Sequence, residues 1–167
     1  MKKIGLFYGT TGGRTKKVAE LIQKEFGGNT VEAFNIKDIT PEDILKYDKL
    51  IFGTSAGGIG DMQDDWEIFI EHLAELDLKG KKIAVFGLGD QKNYPGSFAD
   101  GLGTLYCRMP NKENIIGHWP TKGYKYYFSS AEKDGKFVGL VLDADSQNSM
   151  TPERVKKWVT QLKKEFK

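Results

Sequence analysis

Cysteine is nearly absent. Cys107 is the only one in 167 residues, which excludes an internal disulfide, a CxxC pair and a cysteine-based metal site. Histidine is almost as scarce: His72 and His118 have no triad partners at a suggestive spacing, and no acid/base constellation stands out. No apolar run approaches the ~20 residues that a helix needs to cross a bilayer. The opening Met1-Lys2-Lys3-Ile4-Gly5 passes directly into a strand-like run without a signal-peptide core, so a reducing cytoplasm is the expected compartment. Neither sign of charge dominates. A formal net charge of +2 is too small to argue for nucleic acid. Repeats and linkers are also missing. With 39% hydrophobic and 29% charged residues, the balance is globular, and one domain over residues 1–167 is expected.

Glycine is what the chain has in excess. Its 20 glycines cluster as Gly9, Gly12, Gly13, then Gly53, Gly57, Gly58, Gly60, then Gly87 and Gly89. Such clustering predicts three loops with special backbone demands.

Between these clusters, apolar periodicity alternates between strand and helix. Ile4 to Tyr8 reads as strand 1, Val31 to Ile36 as strand 2, Leu50 to Gly53 as strand 3 and Ile83 to Phe86 as strand 4. Val18, Leu21, Ile22 and Phe26 form a helical stripe, as do Trp66, Phe69, Ile70, Leu73 and Leu76. Residues around 96–107 read as a helix. Ile115-Ile116-Gly117 and Val138 to Leu142 read as two pieces of a fifth strand. The aromatic, polar stretch 118–137 between them reads as an insertion. Thr151-Pro152-Glu153 opens a last helix, with Thr151 as its cap and Pro152 at the first position, and Val155, Trp158, Val159, Leu162 and Phe166 as its stripe. Strands alternating with helices predict a doubly wound α/β sandwich around a parallel sheet. Loops that follow the strands then share one edge, where ligands bind.

The first of these loops, Gly9-Thr10-Thr11-Gly12-Gly13-Arg14-Thr15, enters a helix. It offers free amides, the positive end of a helix dipole and three hydroxyls, which suits a phosphate; a plain helix cap is the alternative. It lacks the spacing and the Gly-Lys-Ser/Thr of a Walker loop. Arg14 is expected to serve through its amide, its side chain being only solvated. The second loop is Thr54-Ser55-Ala56-Gly57-Gly58-Ile59-Gly60-Asp61, and the third Leu88-Gly89-Asp90-Gln91-Lys92-Asn93-Tyr94. Tyr94 presents a flat face for stacking, or is a surface aromatic. Asp90 meets a ring edge, or is a turn residue.

Taken in order, Gly9 to Thr15, Ile59 to Trp66, Gly87 to Tyr94 and Gly135-Lys136-Phe137-Val138-Gly139-Leu140 with Asp143 and Asp145 resemble the motifs of the long-chain flavodoxins, over residues 3–166. The resemblance implies a five-stranded parallel sheet of order 2-1-3-4-5, with strand 5 interrupted by the insertion. It implies non-covalent FMN and a low-potential one-electron carrier that cycles between semiquinone and hydroquinone. Thr10, Thr11, Gly12, Gly13, Arg14 and Thr15 would hold the phosphate. Ser55, Ala56, Gly57, Gly58, Ile59 and Gly60 would line one face of the flavin, and Tyr94 would stack on the other. Leu88, Gly89 and Asp90 would meet the pyrimidine edge, and Asp145 would approach the ribityl chain. No metal and no catalytic residue are implied. The implied partners are redox proteins such as a flavodoxin reductase, a 2-oxoacid oxidoreductase or nitrogenase, met by a monomer without membrane or nucleic acid.

The chain departs from the pattern of the flavodoxins it resembles in three respects. Gly12 stands where many members have Thr, Gly57 where many have Trp, and the net charge is basic where flavodoxins are usually acidic. The charge is uneven, however. Asp61 to Asp77 holds seven acids and no Lys or Arg, and Glu153 to Lys167 has six basic residues against two acids. The acidic stretch is expected to steer a basic partner, or is simply a solvated helix face. An FMN-dependent quinone or nitro reductase on the same fold is the alternative function; it would need a nicotinamide site, for which no motif is seen. A phospho-acceptor receiver domain is excluded, because Gly9-Thr10 and Gly53-Thr54 stand where its acids would be. A flavin-free interaction module is the remaining rival.

Overall fold

The computed structural model describes residues 3–55 and 61–167. Strands β1 (Ile4–Tyr8), β2 (Val31–Asn35), β3 (Lys49–Ser55) and β4 (Lys82–Leu88) lie parallel in the order β2-β1-β3-β4. Ile4 is paired with Val31 on one side and Lys49 on the other, and Phe52 with Val85. Every residue of β1 is buried, β3 is buried except at its two ends, and β4 is buried except at Lys82. Strands covered on both faces read as unbroken apolar runs.

The free edge of β4 takes two short strands. β5 (Ile115–Ile116) pairs parallel with Ile83 and Ala84, and β9 (Leu140–Leu142) pairs parallel with Phe86, Gly87 and Leu88. The fifth strand is thus split as expected, and the insertion leaves and returns along one line. It carries its own small antiparallel sheet of β6 (Trp119–Pro120), β7 (Glu132–Lys133) and β8 (Lys136–Phe137). Phe98, Tyr124, Tyr126 and Phe137 join it to the body as an aromatic cluster, with Tyr124 and Phe137 edge to face at 5.2 Å. The Arg154 guanidinium lies 4.1 Å over the Tyr124 ring, a cation–π contact.

Helices α1 (Arg14–Phe26) and α5 (Thr151–Glu165) pack together on one face of the sheet. Helices α3 (Asp64–Ala74) and α4 (Asp100–Arg108) pack on the other. Helices α1, α3 and α5 bury most of their expected stripes: Val18, Ile22 and Phe26 on α1, Trp66, Phe69, Ile70 and Leu73 on α3, and Val155, Trp158, Val159 and Leu162 on α5, while Leu21 and Leu76 are only half-buried. Each fully buried side chain of this kind is worth roughly 1.5–3 kcal/mol of transfer free energy.

Three details differ from the sequence reading. A short helix α2 (Pro41–Leu45) precedes β3, closed by a capping box between Thr40 and Asp43. Helix α4 begins only at Asp100, after Ala99 in the left-handed region at φ 55°. Thr151 is not the cap of α5: it is the first helical residue, Met150 holds the cap position, and the buried Thr151 Oγ1 has no hydrogen-bond partner among the described residues. A short 3-10 turn over Asn148–Met150 runs directly into the helix and places Thr151 inside it. Among the described residues no helix is long and apolar enough to cross a membrane.

Candidate functional site

Chain order turns back between β1 and β3, and at the carboxyl edge beside that point a cleft of about 520 Å³ opens. Of the residues expected at a site, Thr10, Thr11, Gly12, Arg14, Thr15, Ser55, Leu88, Gly89, Asp90, Tyr94 and Asp145 all line it. Gly13 lies within the same loop. Ala56, Gly57, Gly58, Ile59 and Gly60 lie outside the described residues.

The β1–α1 loop forms one end. Gly13 precedes α1 at φ 89°, where glycine avoids the Cβ clash that other residues meet. Its N–H donates to Thr10 Oγ1 at 3.0 Å, and its carbonyl accepts from Lys17 N–H. The amides of Arg14, Thr15 and Lys16 belong to the first helical turn, which has no intrahelical acceptor for them. Thr10 Oγ1 accepts from Gly13, and Thr11 Oγ1 accepts from Gln63 Nε2 at 3.3 Å. Each hydroxyl therefore keeps its own proton to donate. Amides, hydroxyls and the helix dipole converge here on one anion-sized place.

The Arg14 side chain is not merely solvated. Its Nη1 donates to Asp145 Oδ1 at 2.6 Å. That hydrogen bond, with the charges of Asp145, Asp90 and Asp143, raises the Arg14 pKa further. Asp90, Asp143 and Asp145 each bring a carboxylate oxygen within 4.8 Å of the others. Arg14 is the one cation among the described cleft-lining residues, against Asp64, Asp90 and Asp145.

The opposite wall is the β4–α4 loop. Tyr94 stands at the rim, 41% exposed. Asp90 lines the cleft, but its carboxylate is engaged in its own turn: Oδ1 accepts from the Lys92 and Asn93 amides, and Oδ2 from Asn93 Nδ2 at 2.7 Å. Any contact of Asp90 with a ring edge therefore competes with that turn. Leu88 and Gly89 supply backbone, and a Cβ on Gly89 would stand 2.8 Å from Ala99 N. The glycine here answers to close packing rather than to an unusual φ. Gly9 is similar, since a Cβ would meet Gln63 Oε1 at 2.1 Å.

Two glutamines and an aspartate support the site in roles that the motifs containing them did not announce. Gln63, 3% exposed, accepts through Oε1 from the Asp65 and Trp66 amides at the start of α3, while its Nε2 reaches Thr11 and Asp65. Glutamine is not a favoured cap, so nothing in composition marks it. Asp143 is fully buried. It accepts from Gln91 N and Nε2, Ser146 N and Oγ, and Asp145 N. Burial pushes its pKa up, but the hydrogen bonds from Ser146 and Gln91 outweigh that and hold it below the ordinary carboxylate value.

A doubly wound parallel sheet with a ligand cleft at its switch point defines the class. Comparison with known proteins defines the family. The flavodoxin family model matches residues 6–158. Flavodoxins of Picosynechococcus sp. and Synechocystis sp. are 44% and 46% identical to this chain, covering 99% and 98% of it and 99% and 97% of their own lengths. Flavodoxin 1 of Escherichia coli is 40% identical over 97% of this chain and 93% of its own. The crystal structure of Fusobacterium nucleatum flavodoxin bound to flavin mononucleotide superposes with a TM-score of 0.93 at 33% identity, with full coverage of both chains. The chain belongs to the flavodoxin family, itself a standing example of ligand binding at the switch between strands 1 and 3. As such it is an electron-transfer protein and not an enzyme, and it works with redox partner proteins.

Proposed function

We propose that this chain carries single electrons at low potential on one non-covalently bound FMN, seated in the cleft between the β1–α1 and β4–α4 loops. The observation that carries the reading is the pairing of one anion site with one aromatic wall. The α1 N-terminus with Thr10, Thr11 and Thr15 suits a terminal phosphate, and a Cβ at Gly12 or Gly13 would meet no protein atom within 4 Å, so ligand can approach that backbone. Tyr94 suits the face of an isoalloxazine, and Leu88 and Gly89 its pyrimidine edge. Ser55, with residues 56–60, completes the other side by family resemblance. Asp145, tied to Arg14, stands where the ribityl chain would pass.

FMN supplies the redox chemistry when bound; the protein supplies position and electrostatics. Asp64, Asp90 and Asp145 around the cleft, with Arg14 alone opposing them, disfavour added negative charge there, which makes the reduced protein a strong donor. The exposed acids of α3, Asp64, Glu67 and Glu71, suit a basic docking face. By family resemblance, the partners proposed are a flavodoxin reductase, a 2-oxoacid oxidoreductase and nitrogenase. The carrier works as a monomer in the cytoplasm.

The test is to purify the protein, release its flavin with acid and identify it by chromatography, then titrate the holoprotein with reductant under visible absorbance. FMN at one per chain and two resolved one-electron steps are expected. Recovery of FAD, or oxidation of NAD(P)H without an added reductase, would overturn the reading in favour of an enzyme.

A further inference from the structure

We infer that Gln91 is a positioning residue through which the 118–137 insertion sets the wall of the cleft that bears Tyr94; the inference rests on reading this cleft as a flavin site.

Tyr94 sits in a loop that the insertion holds on both sides. On the N-terminal side, Lys125 N–H donates to Gln91 Oε1 at 2.7 Å. On the C-terminal side, the amides of Tyr127 and Phe128 both donate to the Pro95 carbonyl, at 2.7 and 3.1 Å, and Phe98 N–H donates to the Phe128 carbonyl at 3.2 Å. Between these two grips the loop is held by its own turn. Tyr94 N–H donates to the Asp90 carbonyl at 2.9 Å, and the Asp90 carboxylate caps the Lys92 and Asn93 amides. With 41% of Tyr94 exposed, packing does little to fix its ring, so the ring's place follows from the backbone that carries it.

The C-terminal grip is made by backbone alone. The N-terminal grip passes through one side chain, and that side chain is anchored. Gln91 is 8% exposed. Its Nε2 and its own N–H donate to Asp143 Oδ2 at 2.7 and 3.0 Å. Asp143 directly follows β9, whose Leu142 is paired with Leu88 and whose carbonyl accepts from Gly89 N–H at 2.9 Å. The Gln91 amide thus joins three segments at once: the insertion, the sheet edge and the loop with Tyr94. Gln91 touches no expected flavin atom; it acts through the loop.

The experiment compares flavin affinity in wild type, Gln91→Met, Tyr94→Ala and the double variant, using both FMN and riboflavin added to apoprotein. Gln91→Met keeps the shape and removes both side-chain hydrogen bonds. A net loss of hydrogen bonds of this kind predicts roughly fivefold to tenfold weaker binding. The factor should be the same for FMN and riboflavin, because the phosphate end is untouched. Flavin bound at saturation should fluoresce more than in wild type, because stacking on Tyr94 is looser. In the Tyr94→Ala background the further loss on Gln91→Met should shrink to less than about twofold, the coupling expected of residues that act as one unit. Gln91→Leu, which likewise removes both side-chain hydrogen bonds and adds no charge beside Asp143, is scored by the same measurements should the methionine variant not fold. An equal loss with and without Tyr94, or unchanged affinity and fluorescence in folded protein, overturns the inference. Failure of the wild type to bind FMN strikes the reading of the cleft instead.

Discussion

Arg14 Nη1 and Asp145 Oδ1 are 2.6 Å apart, although 131 positions separate the two residues in the chain. One stands at the first turn of α1, the other just beyond β9, and the pair ties the two sides of the cleft mouth together. The Arg14 and Asp145 side chains are 58% and 39% exposed, so the pair is screened by solvent and worth only about 0–1 kcal/mol to the fold. Arg14→Ala should therefore leave the melting temperature of the apoprotein nearly unchanged. It should weaken FMN more than riboflavin, since Asp145 is then left without its counter-ion near a phosphate. Isothermal titration with both ligands checks this; equal losses for the two would detach Arg14 from the phosphate end.

Gly13 combines a positive φ with open space around its Cβ position. Gly13→Asp should cost the apoprotein only roughly 1–2 kcal/mol from backbone conformation, while placing a carboxylate at the anion site. FMN affinity should fall by well over tenfold and riboflavin affinity much less. Gly13→Asn is the neutral comparison, because asparagine tolerates the left-handed region and adds no charge. An aspartate that affects both ligands as asparagine does would show that no phosphate binds here.

Asp143 links the site to acid stability. Its folded pKa is depressed, so its contribution is fully present above the unfolded aspartate value of about 3.9 and is lost as pH falls through the lower folded value. Asp143→Asn should destabilise the protein at neutral pH by removing acceptors from Gln91 and Ser146. The gap between wild type and variant should narrow below about pH 4. Urea denaturation of both proteins across that range is the measurement. A gap that is constant with pH would mean that folding does not lower the Asp143 pKa.

The acids of α3 are predicted to speed association with a basic redox partner. Asp64 and Glu67 are exposed, whereas Asp65 also accepts from Gln63 Nε2 at 2.8 Å. Reversal of Asp64 and Glu67 to Lys is therefore the cleaner test of steering. The association rate with a flavodoxin reductase should fall in stopped flow, and its salt dependence should flatten, since screening acts over about 8 Å at physiological ionic strength. A rate indifferent to both salt and charge reversal would remove steering from the role of this helix.

Much of the architecture was legible because burial on both faces leaves a plain trace. The runs Ile4–Tyr8, Leu50–Gly53 and Ile83–Phe86 are strands, and the two halves of the fifth strand were separable because Ile115-Ile116 and Val138–Leu142 flank a polar, aromatic stretch. Helix α2 left its own signal, Thr40-Pro41-Glu42-Asp43, which is a capping box too short to show apolar periodicity. Thr151-Pro152 gave a start signal one residue out of place. The glycine clusters marked the right loops for a mixed reason. Gly13 has the positive φ, but Gly9, Gly53, Gly87 and Gly89 are small because Gln63, Phe86, Leu102 and Ala99 crowd them. Gln63, Gln91 and Asp143 fall within the motifs that carry the family resemblance, but their roles were beyond reach of the sequence. Their roles arise from groups that only the folded chain brings together, and a glutamine that joins three loops looks in sequence like any other glutamine.

The three tryptophans are all buried, Trp66 and Trp158 completely and Trp119 to 8% exposure. Trp66 donates to the Gly53 carbonyl beneath α3, and Trp158 donates to the Gly117 carbonyl beneath α5. One indole therefore reports from each side of the sheet. Trp66 follows Gln63 and Asp64 in the cleft wall, so its emission is the one expected to respond most strongly to a bound chromophore. Trp158 reads whether the last helix has docked. A single fluorimeter trace, with each indole replaced in turn by phenylalanine, would separate ligand occupancy from folding in the same cuvette.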